Sequence, residues 1–447
     1  MSEIAIGTVC LLASLFLIQT GMHIGVALML LSFLGVWAIK GLDVAGKLLG
    51  SSVTSSIASD AYAVIPLFVL MGLFVSTTNV GRDTFDVAAL LLRRVRGGLG
   101  MATVAANAVF AACTGTTIAS ASVFTKVAVP EMVRHGHTTR FSVGVVAGSS
   151  VLGMLIPPSI LMIIFGVIAN VSIADLFTSG ILPGILLSAA FCLTISLLSY
   201  FRPAFVAADP AALRGGYEGP LDDAPVWRIA GKFLPIVVLV GIVLGGIYGG
   251  FFTPTEAGGA GALAAFLIAF VRRELTLKVF WEVALETGRV TAAICFLLMA
   301  AALYAQMLTL SGLPFAVGRW LQTAELPFLS ILIGYLIVVV VLGCFLDSVS
   351  IMLIVLPFVI PVFDAMGVNL VWLGLISIIA IEIGLLTPPL GIAVFVVKAN
   401  LEDQRIRTWD IFMGTMPMTL TMGAVLAICV LFPKIALLLV GQRWSWW

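Results

Sequence analysis

The sequence has few charged residues. Asp, Glu, Lys and Arg make up only 10% of its 447 residues, whereas soluble globular chains carry about 25%. Its mean hydropathy is +1.19. A chain with so little charge cannot cover its surface against water, so the composition excludes a soluble protein and predicts a polytopic membrane protein.

The alternating apolar and polar pattern of membrane strands is also absent. Long unbroken apolar runs take its place. Because lipid offers the backbone no hydrogen-bond partners, membrane spans are either helices or closed barrels, and unbroken runs favour helices. We therefore predict an all-α fold.

Several sequence signals of catalysis are missing. There is no Walker motif, no dinucleotide fingerprint and no zinc-ligand spacing. The six cysteines lie in apolar stretches without metal spacing, and the only three histidines are His23, His135 and His137. We expect no catalytic residues, no transition metal and no nucleic-acid partner. Any energy source is an ion gradient or a partner rather than a nucleotide bound to this chain.

Two proline pairs interrupt apolar runs, in LIPPSI (155–160) and in LTPPLG (386–391). Each pair should break the helix around it, because proline removes a backbone donor and clashes with the preceding turn. A shift of 231 positions places the first pair on the second, and it also places Cys113 on Cys344 and Pro130 on Pro361. Coinciding helix breakers indicate an internal duplication.

The duplication predicts an organisation in two halves. Residues 1–201 form the first repeat and 233–440 the second, with 202–232 as a polar cytoplasmic linker between them. The first repeat contains an interfacial arm at 44–57, a helical hairpin at 99–134 and a broken helix at 141–169. The second contains an arm helix at 275–289, a hairpin at 328–364 and a broken helix at 371–399.

Basic residues predict the orientation of each half. Arg93, Arg94 and Arg96 precede the first hairpin tip, CTGTT, and Arg134 and Arg140 follow it. Because positive loops stay on the cytoplasmic side, this hairpin should enter the membrane and return to the same face. The second hairpin has few basic flanks and should open outward. We therefore predict inverted repeats with both termini outside.

Inverted repeats with discontinuous helices are the architecture of secondary transporters. At each break, free carbonyl oxygens, hydroxyls and helix ends can bind a small cation such as Na⁺. We predict sodium site 1 at Thr114, Gly115, Thr116, Thr117, Gly153, Ile156 and Pro157. Sodium site 2 is predicted at Leu346, Asp347, Ser348, Ser350, Gly384, Thr387 and Pro388. Candidates for a substrate cavity are Thr116, Ser120, Ser159, Ser350 and Pro389.

These residues also have simpler interpretations. Small and hydroxyl residues let membrane helices approach closely without binding an ion. Asp347 costs about 3 kcal/mol in mid-membrane and so needs a role, but it could instead cap the following helix. Glu256 could form a capping box with Thr253. For Lys126, Glu382 and Lys398, the sequence leaves open whether they form internal salt bridges or contact a substrate.

Several stretches resemble one family. They are IPLFVLMG, RRVRGGLG, PEMVRHGH, LGMLIPPSI, LFTSGILPG, GGFFTPTEAGG, LDSVSIMLIVLP and GLLTPPLGIAVFV. As an ordered set spanning residues 4–434, they resemble the large membrane subunit, the permease, of tripartite ATP-independent periplasmic (TRAP) transporters. The first tip departs from the family's serine-rich form, since it reads ACTGTTIAS, which keeps hydroxyls but changes the expected ligands.

The resemblance implies an ion transporter superfamily fold that works by an elevator movement, in the bacterial inner membrane. It implies sodium-driven uptake of an organic acid, such as a C4-dicarboxylate or a sugar acid, delivered by a periplasmic binding protein. It also implies a small four-helix membrane subunit, which we expect to be a separate chain. Two alternatives are a self-sufficient sodium–carboxylate symporter of the same superfamily and a respiratory antiporter-like subunit.

Overall fold

The structure is a computed structural model that describes residues 2–58, 60–208, 224–403 and 405–441. Within these ranges the chain is helical and has no β-strand, apart from one isolated bridge between His137 and Ala207. Seven described helical segments are long and apolar enough to cross a membrane, and two of them, Thr139–Ala169 and Trp227–Tyr248, are each made of consecutive shorter helices. The predicted all-α membrane fold is confirmed.

The first half contains twelve described helices. They are α1 (Glu3–Gln19), α2 (Ile24–Lys40), α3 (Leu42–Ile57), α4 (Val64–Thr77), α5 (Val80–Leu92), α6 (Gly98–Thr114), α7 (Thr117–Arg134), α8 (Thr139–Ser150), α9 (Leu152–Leu155), α10 (Ile160–Ala169), α11 (Ile173–Phe201) and α12 (Pro203–Val206). A short 3₁₀ turn, Asp60–Ala63, precedes α4. Helices α4 and α5 meet at a bend of 66°.

The second half contains eleven described helices. They are α13 (Val226–Val240), α14 (Gly246–Tyr248), α15 (Pro254–Val271), α16 (Leu277–Ser311), α17 (Leu313–Thr323), α18 (Phe328–Gly343), α19 (Ser348–Ala365), α20 (Leu370–Leu385), α21 (Ile392–Asn400), α22 (Thr408–Leu431) and α23 (Lys434–Leu437). A π-helical turn, Gly241–Gly245, joins α13 to α14.

Each half contains two helices joined by a short tip, followed by an interrupted helix. The hairpins are α6–α7 and α18–α19, and the broken helices are α8–α10 and α20–α21. Residues 209–223 of the predicted linker lie outside the described residues, and α13 begins within its predicted range. The orientation of the halves relative to a bilayer stays a prediction.

The arm of the second half differs from the prediction. The sequence indicated an arm helix at 275–289 followed by a separate span, whereas the structure has one 35-residue helix, α16. The reason is local, because no proline lies between Leu277 and Ser311 to stop the helix. The arm of the first half, α3, does end before the next span, at Ile57.

A polar pair joins each hairpin to the broken helix of its own half. Asn107 on α6 donates from its amide nitrogen to the Ser149 hydroxyl on α8, at 2.7 Å. Tyr335 on α18 and Ser377 on α20 share a hydrogen bond of 2.7 Å between their hydroxyls. All four side chains are buried. These bonds fix how each hairpin sits against its broken helix.

The helices pack in two groups. In one, α2, α4, α15 and α16 pack together with α1 and α3. In the other, α6, α8, α10 and α20 pack against α11 or α22, while the second hairpin packs against α20 of its own half and, through α19, against α10, α16 and α17. The returning helix of each hairpin also contacts the second half-helix of the other repeat, α7 against α21 and α19 against α10. The hairpins are therefore interlocked across the two halves.

An ion-pair cluster joins α5 to the second half. Asp83 accepts hydrogen bonds from Lys232 Nζ at 2.9 Å and from Arg272 Nη1 at 2.6 Å. Asp86 accepts from the same lysine nitrogen at 2.6 Å. Both aspartates are buried. The lysine comes from α13 and the arginine caps the end of α15, so three distant segments meet at this cluster.

The loop between α7 and α8 holds a buried histidine. The His137 ring stacks on Phe141, with centroids 5.7 Å apart. Burial lowers the pKa of His137 from its ordinary value of 6.5 to about 4, opposed by a hydrogen bond to Met132 and reinforced by the nearby His135. The ring is therefore neutral at physiological pH.

This pKa predicts an acid sensitivity. Between pH 6.5 and about 4 the unfolded chain binds a proton at His137 and the folded chain does not, so stability falls as the pH falls through that window. We expect His137→Phe, which keeps an aromatic ring, to show a shallower loss of melting temperature than wild type over this range. The exposed His23→Phe is the control and should follow wild type. If the melting temperatures of wild type and His137→Phe fall equally steeply between pH 6.5 and about 4, the prediction is contradicted.

Candidate functional site

The first tip joins α6 to α7 through Gly115 and Thr116. Gly115 lies in the left-handed conformation, with φ 63° and ψ 15°, which glycine adopts at low cost. Thr116 is the N-cap of α7, and its hydroxyl accepts a hydrogen bond from the Ala119 N–H at 3.2 Å. The predicted ligand is thus a helix cap whose hydroxyl oxygen has a further lone pair.

The first break lies against this tip. The Ile160 N–H donates to the Gly115 carbonyl oxygen at 3.3 Å. A β-carbon at Gly115 would lie 2.6 Å from the carbonyl oxygen of Pro158, and one at Gly153 would lie 2.5 Å from that of Thr116. The tip and the break are in direct backbone contact, which requires glycine on both sides.

The second tip joins α18 to α19. Asp347 is the N-cap of α19, and its carboxylate accepts a hydrogen bond from the Ser350 N–H at 3.2 Å and another from the Ser350 hydroxyl. The capping interpretation of Asp347 is confirmed. Capping uses part of the acceptor capacity of the carboxylate, which has about four lone-pair positions, so a cation can still bind there.

The second break repeats the contact seen at the first. The Leu390 N–H donates to the Cys344 carbonyl oxygen at 3.2 Å. Gly343 on α18 and Gly384 on α20 face each other, and a β-carbon at Gly384 would lie 2.5 Å from the Cα of Gly343. Thr387 donates its hydroxyl to the Ile383 carbonyl at 2.7 Å. Each half therefore brings its hairpin tip onto its own break.

The two breaks differ in exposure. In the first, Ile156 is half-buried while Pro157, Pro158 and Ser159 are buried. In the second, Thr387 is half-buried while Pro388, Pro389 and Leu390 are exposed. Both proline pairs contain a cis peptide bond. The first break is enclosed by protein and the second lies at the protein surface.

The other predicted positions are mostly buried. Buried members of the two sites are Thr114, Thr117, Leu346, Ser348 and Ser350. Ser159 caps α10 and donates its hydroxyl to the Met154 carbonyl at 2.5 Å. The Ser120 hydroxyl is buried and has no hydrogen-bond partner among the residues that the structure describes. Of the predicted cavity residues, Pro389 is the exposed one.

Glu382 connects the two tips, which the sequence did not predict. Its side chain is fully buried on α20. One carboxylate oxygen accepts the Thr117 hydroxyl at 2.8 Å, and the other accepts the Ser348 hydroxyl at 3.0 Å. Thr117 lies 265 residues away from Glu382 along the chain, so no local signal indicated this contact.

Of the other residues whose role the sequence left open, Glu256 and Lys398 have hydrogen-bond partners close to them in the chain. Glu256 forms the predicted capping box with Thr253. Lys398 donates to the Ile406 carbonyl at 2.6 Å, and Lys126 is exposed. The described residues contain no cluster of three or more His, Cys, Asp or Glu side chains able to hold a metal.

An all-helical membrane chain in which two broken helices meet two hairpin tips has the architecture of a membrane transporter. The comparisons identify its family. Residues 10–435 match the family model described as "Tripartite ATP-independent periplasmic transporter, DctM component". The chain belongs to this family, as the resemblance predicted. It is a TRAP transporter large permease, not an enzyme.

Curated relatives agree with this assignment. The chain is 34% identical to the C4-dicarboxylate TRAP transporter large permease protein DctM of Pseudomonas aeruginosa, over 75% of this chain and 76% of that one. It is 30% identical to the sialic acid TRAP transporter large permease protein SiaM of Vibrio cholerae, over 95% and 96%. It is 29% identical to the 2,3-diketo-L-gulonate TRAP transporter large permease protein YiaN of Escherichia coli, over 96% and 97%.

A solved structure shares the fold. The Alcanivorax borkumensis YdaH transporter aligns with a TM-score of 0.57, covering 89% of this chain and 90% of that chain. The identity is 14%, so the likeness shows the fold alone.

Proposed function

We propose that this chain is the membrane permease of a sodium-coupled importer of an organic acid. The observation that carries the proposal is the pairing of each hairpin tip with a broken helix, which gathers hydroxyls, carbonyl oxygens and Asp347. Oxygen ligands of this kind suit Na⁺. The relatives named above are named for C4-dicarboxylates, sialic acid and 2,3-diketo-L-gulonate, which supports a carboxylate or sugar acid as the substrate.

The proposal includes partners and a movement. The family name describes a tripartite transporter, which supports a separate small membrane subunit and a periplasmic binding protein. The interlocked hairpins form a block beside the other helix group, which supports an elevator movement of the block. We place the chain in the bacterial inner membrane, with both termini on the periplasmic side.

Sodium dependence tests the proposal. We expect uptake into proteoliposomes, with the small subunit and binding protein present, to require an inward Na⁺ gradient that K⁺ cannot replace. The probes are a C4-dicarboxylate, sialic acid and 2,3-diketo-L-gulonate. In Asp347→Ala and Thr116→Ala, the sodium concentration for half-maximal uptake should rise about tenfold or more, because about 1.4 kcal/mol of binding free energy corresponds to tenfold.

The control is Asp364→Ala, which removes an exposed aspartate at the far end of α19. It should leave the sodium dependence at the wild-type value. Unchanged sodium dependence in both site variants would remove the site assignment. Uptake that persists without the binding protein would favour the self-sufficient symporter.

A further inference from the structure

The two hydroxyls that meet Glu382 occupy equivalent positions. Thr117 is the first residue of α7 and Ser348 the first residue of α19. The shift of 231 positions that superposes the two halves places one on the other. The two hairpins therefore place a hydroxyl residue at equivalent positions, and both hydroxyls donate to one carboxylate.

The carboxylate itself is not duplicated. The position equivalent to Glu382 in the first half is Val151, which is buried and has no polar side-chain atom. Glu382 belongs to the second half, yet one of its oxygens accepts a hydroxyl from the first hairpin. A single side chain thus joins the tips of both repeats.

The surroundings favour this bridge. Helices α7 and α19 each have 18 residues and both begin at the carboxylate. The N-terminus of a helix carries a positive partial charge, and hydrogen bonds to a carboxylate are stronger than neutral ones. A buried hydroxyl that loses its partner is costly. The tips should therefore keep a fixed separation while both bonds hold.

We propose that Glu382 is a positioning residue that couples the two sodium sites, an inference that rests on the function proposed above. Each hydroxyl can point its hydrogen at Glu382 while its oxygen faces a cation. Binding at one tip orders that tip, and the shared carboxylate transmits the order to the other. Because such coupling is reciprocal, sodium binding at either site raises the affinity of the other.

The experiment measures the melting temperature of the purified full chain as NaCl replaces KCl at constant ionic strength. We expect wild type to show sodium-specific stabilisation with a Hill coefficient above one. In Glu382→Ala, stabilisation should persist at higher sodium while the Hill coefficient falls to one. Glu382→Gln should retain the steep dependence, because its amide can accept from one hydroxyl and donate to the other.

Two further variants keep the test decisive. Glu382→Asp keeps the charge but is one methylene shorter, so it should lose the steepness even if the alanine variant does not fold. Trp372→Phe removes a buried hydrogen bond on the same helix, from the indole nitrogen to the Cys429 carbonyl oxygen at 2.9 Å, ten residues from Glu382. It should lower the melting temperature without changing the Hill coefficient.

The outcomes separate the two proposals. A wild-type chain without sodium-specific stabilisation would overturn the proposed sodium coupling. If the wild-type chain is stabilised by sodium and Glu382→Ala or Glu382→Asp keeps the wild-type Hill coefficient, only the coupling role of Glu382 is overturned. A Hill coefficient of one in Glu382→Gln, together with a wild-type Hill coefficient in Glu382→Asp, would also overturn the coupling of the two tips through hydrogen bonds to residue 382.

Discussion

Gly115→Ala is expected to separate the first hairpin tip from its break and to reduce transport to background. The substitution has two costs. An alanine in the left-handed conformation costs about 1–2 kcal/mol. Its β-carbon would also lie 2.6 Å from the Pro158 carbonyl oxygen, and forced packing of this kind typically costs about 1–3 kcal/mol. The backbone of the break cannot move away without losing the Ile160 hydrogen bond to the tip.

Gly312→Ala is a matched control for this variant. Gly312 ends α16 with φ 68° and ψ 6°, close to the values at Gly115, and a β-carbon there would meet no atom within 4 Å. It therefore carries the conformational cost without the clash. Thermal unfolding of the purified variants should show a larger fall in melting temperature for Gly115→Ala than for Gly312→Ala. Equal losses would show that the contact between tip and break contributes nothing.

Asp83→Ala is expected to destabilise the chain by about 3–5 kcal/mol, the usual result when one partner of a buried ion pair is removed. Asp83 lies between Lys232 and Arg272, so the variant leaves two partly buried cations short of a partner. Asp86 still accepts from the lysine, and Asp86→Ala should therefore cost less than Asp83→Ala.

The control for this cluster is Asp43→Ala. Asp43 pairs with Lys47 at 2.8 Å, but the side chains are 80% and 76% exposed. Exposed pairs contribute about 0–1 kcal/mol, so little change is expected. Denaturant or thermal unfolding in detergent measures all three variants. A loss in Asp83→Ala no larger than in Asp43→Ala would show that the cluster does not hold α5 in place.

The sequence predicted those features that depend on neighbouring residues. Proline pairs act on the backbone next to them, and a helix ends just before each pair, α9 at Leu155 and α20 at Leu385. The capping box of Thr253 and Glu256, and the capping role of Asp347, likewise span three residues.

Contacts between distant segments could not be predicted in this way. The bridge at Glu382 joins helices from both halves, and the Asp83 cluster joins three segments. Both depend on how helices pack, which no local pattern encodes. The continuity of α16 was missed for the opposite reason, because a polar stretch and an apolar stretch can share one helix when nothing between them stops it.

The different arms have a mechanical consequence. Helix α16 has 35 residues and is about 52 Å long at 1.5 Å per residue, whereas a bilayer core is about 30 Å thick. Its arm and its span are parts of one continuous helix, so they must move together as a rigid unit. In the first half, α3 and α4 are separate helices, the one ending at Ile57 and the other beginning at Val64. The elevator movement proposed above can therefore change the angle between arm and span in the first half, whereas in the second half it would have to bend α16.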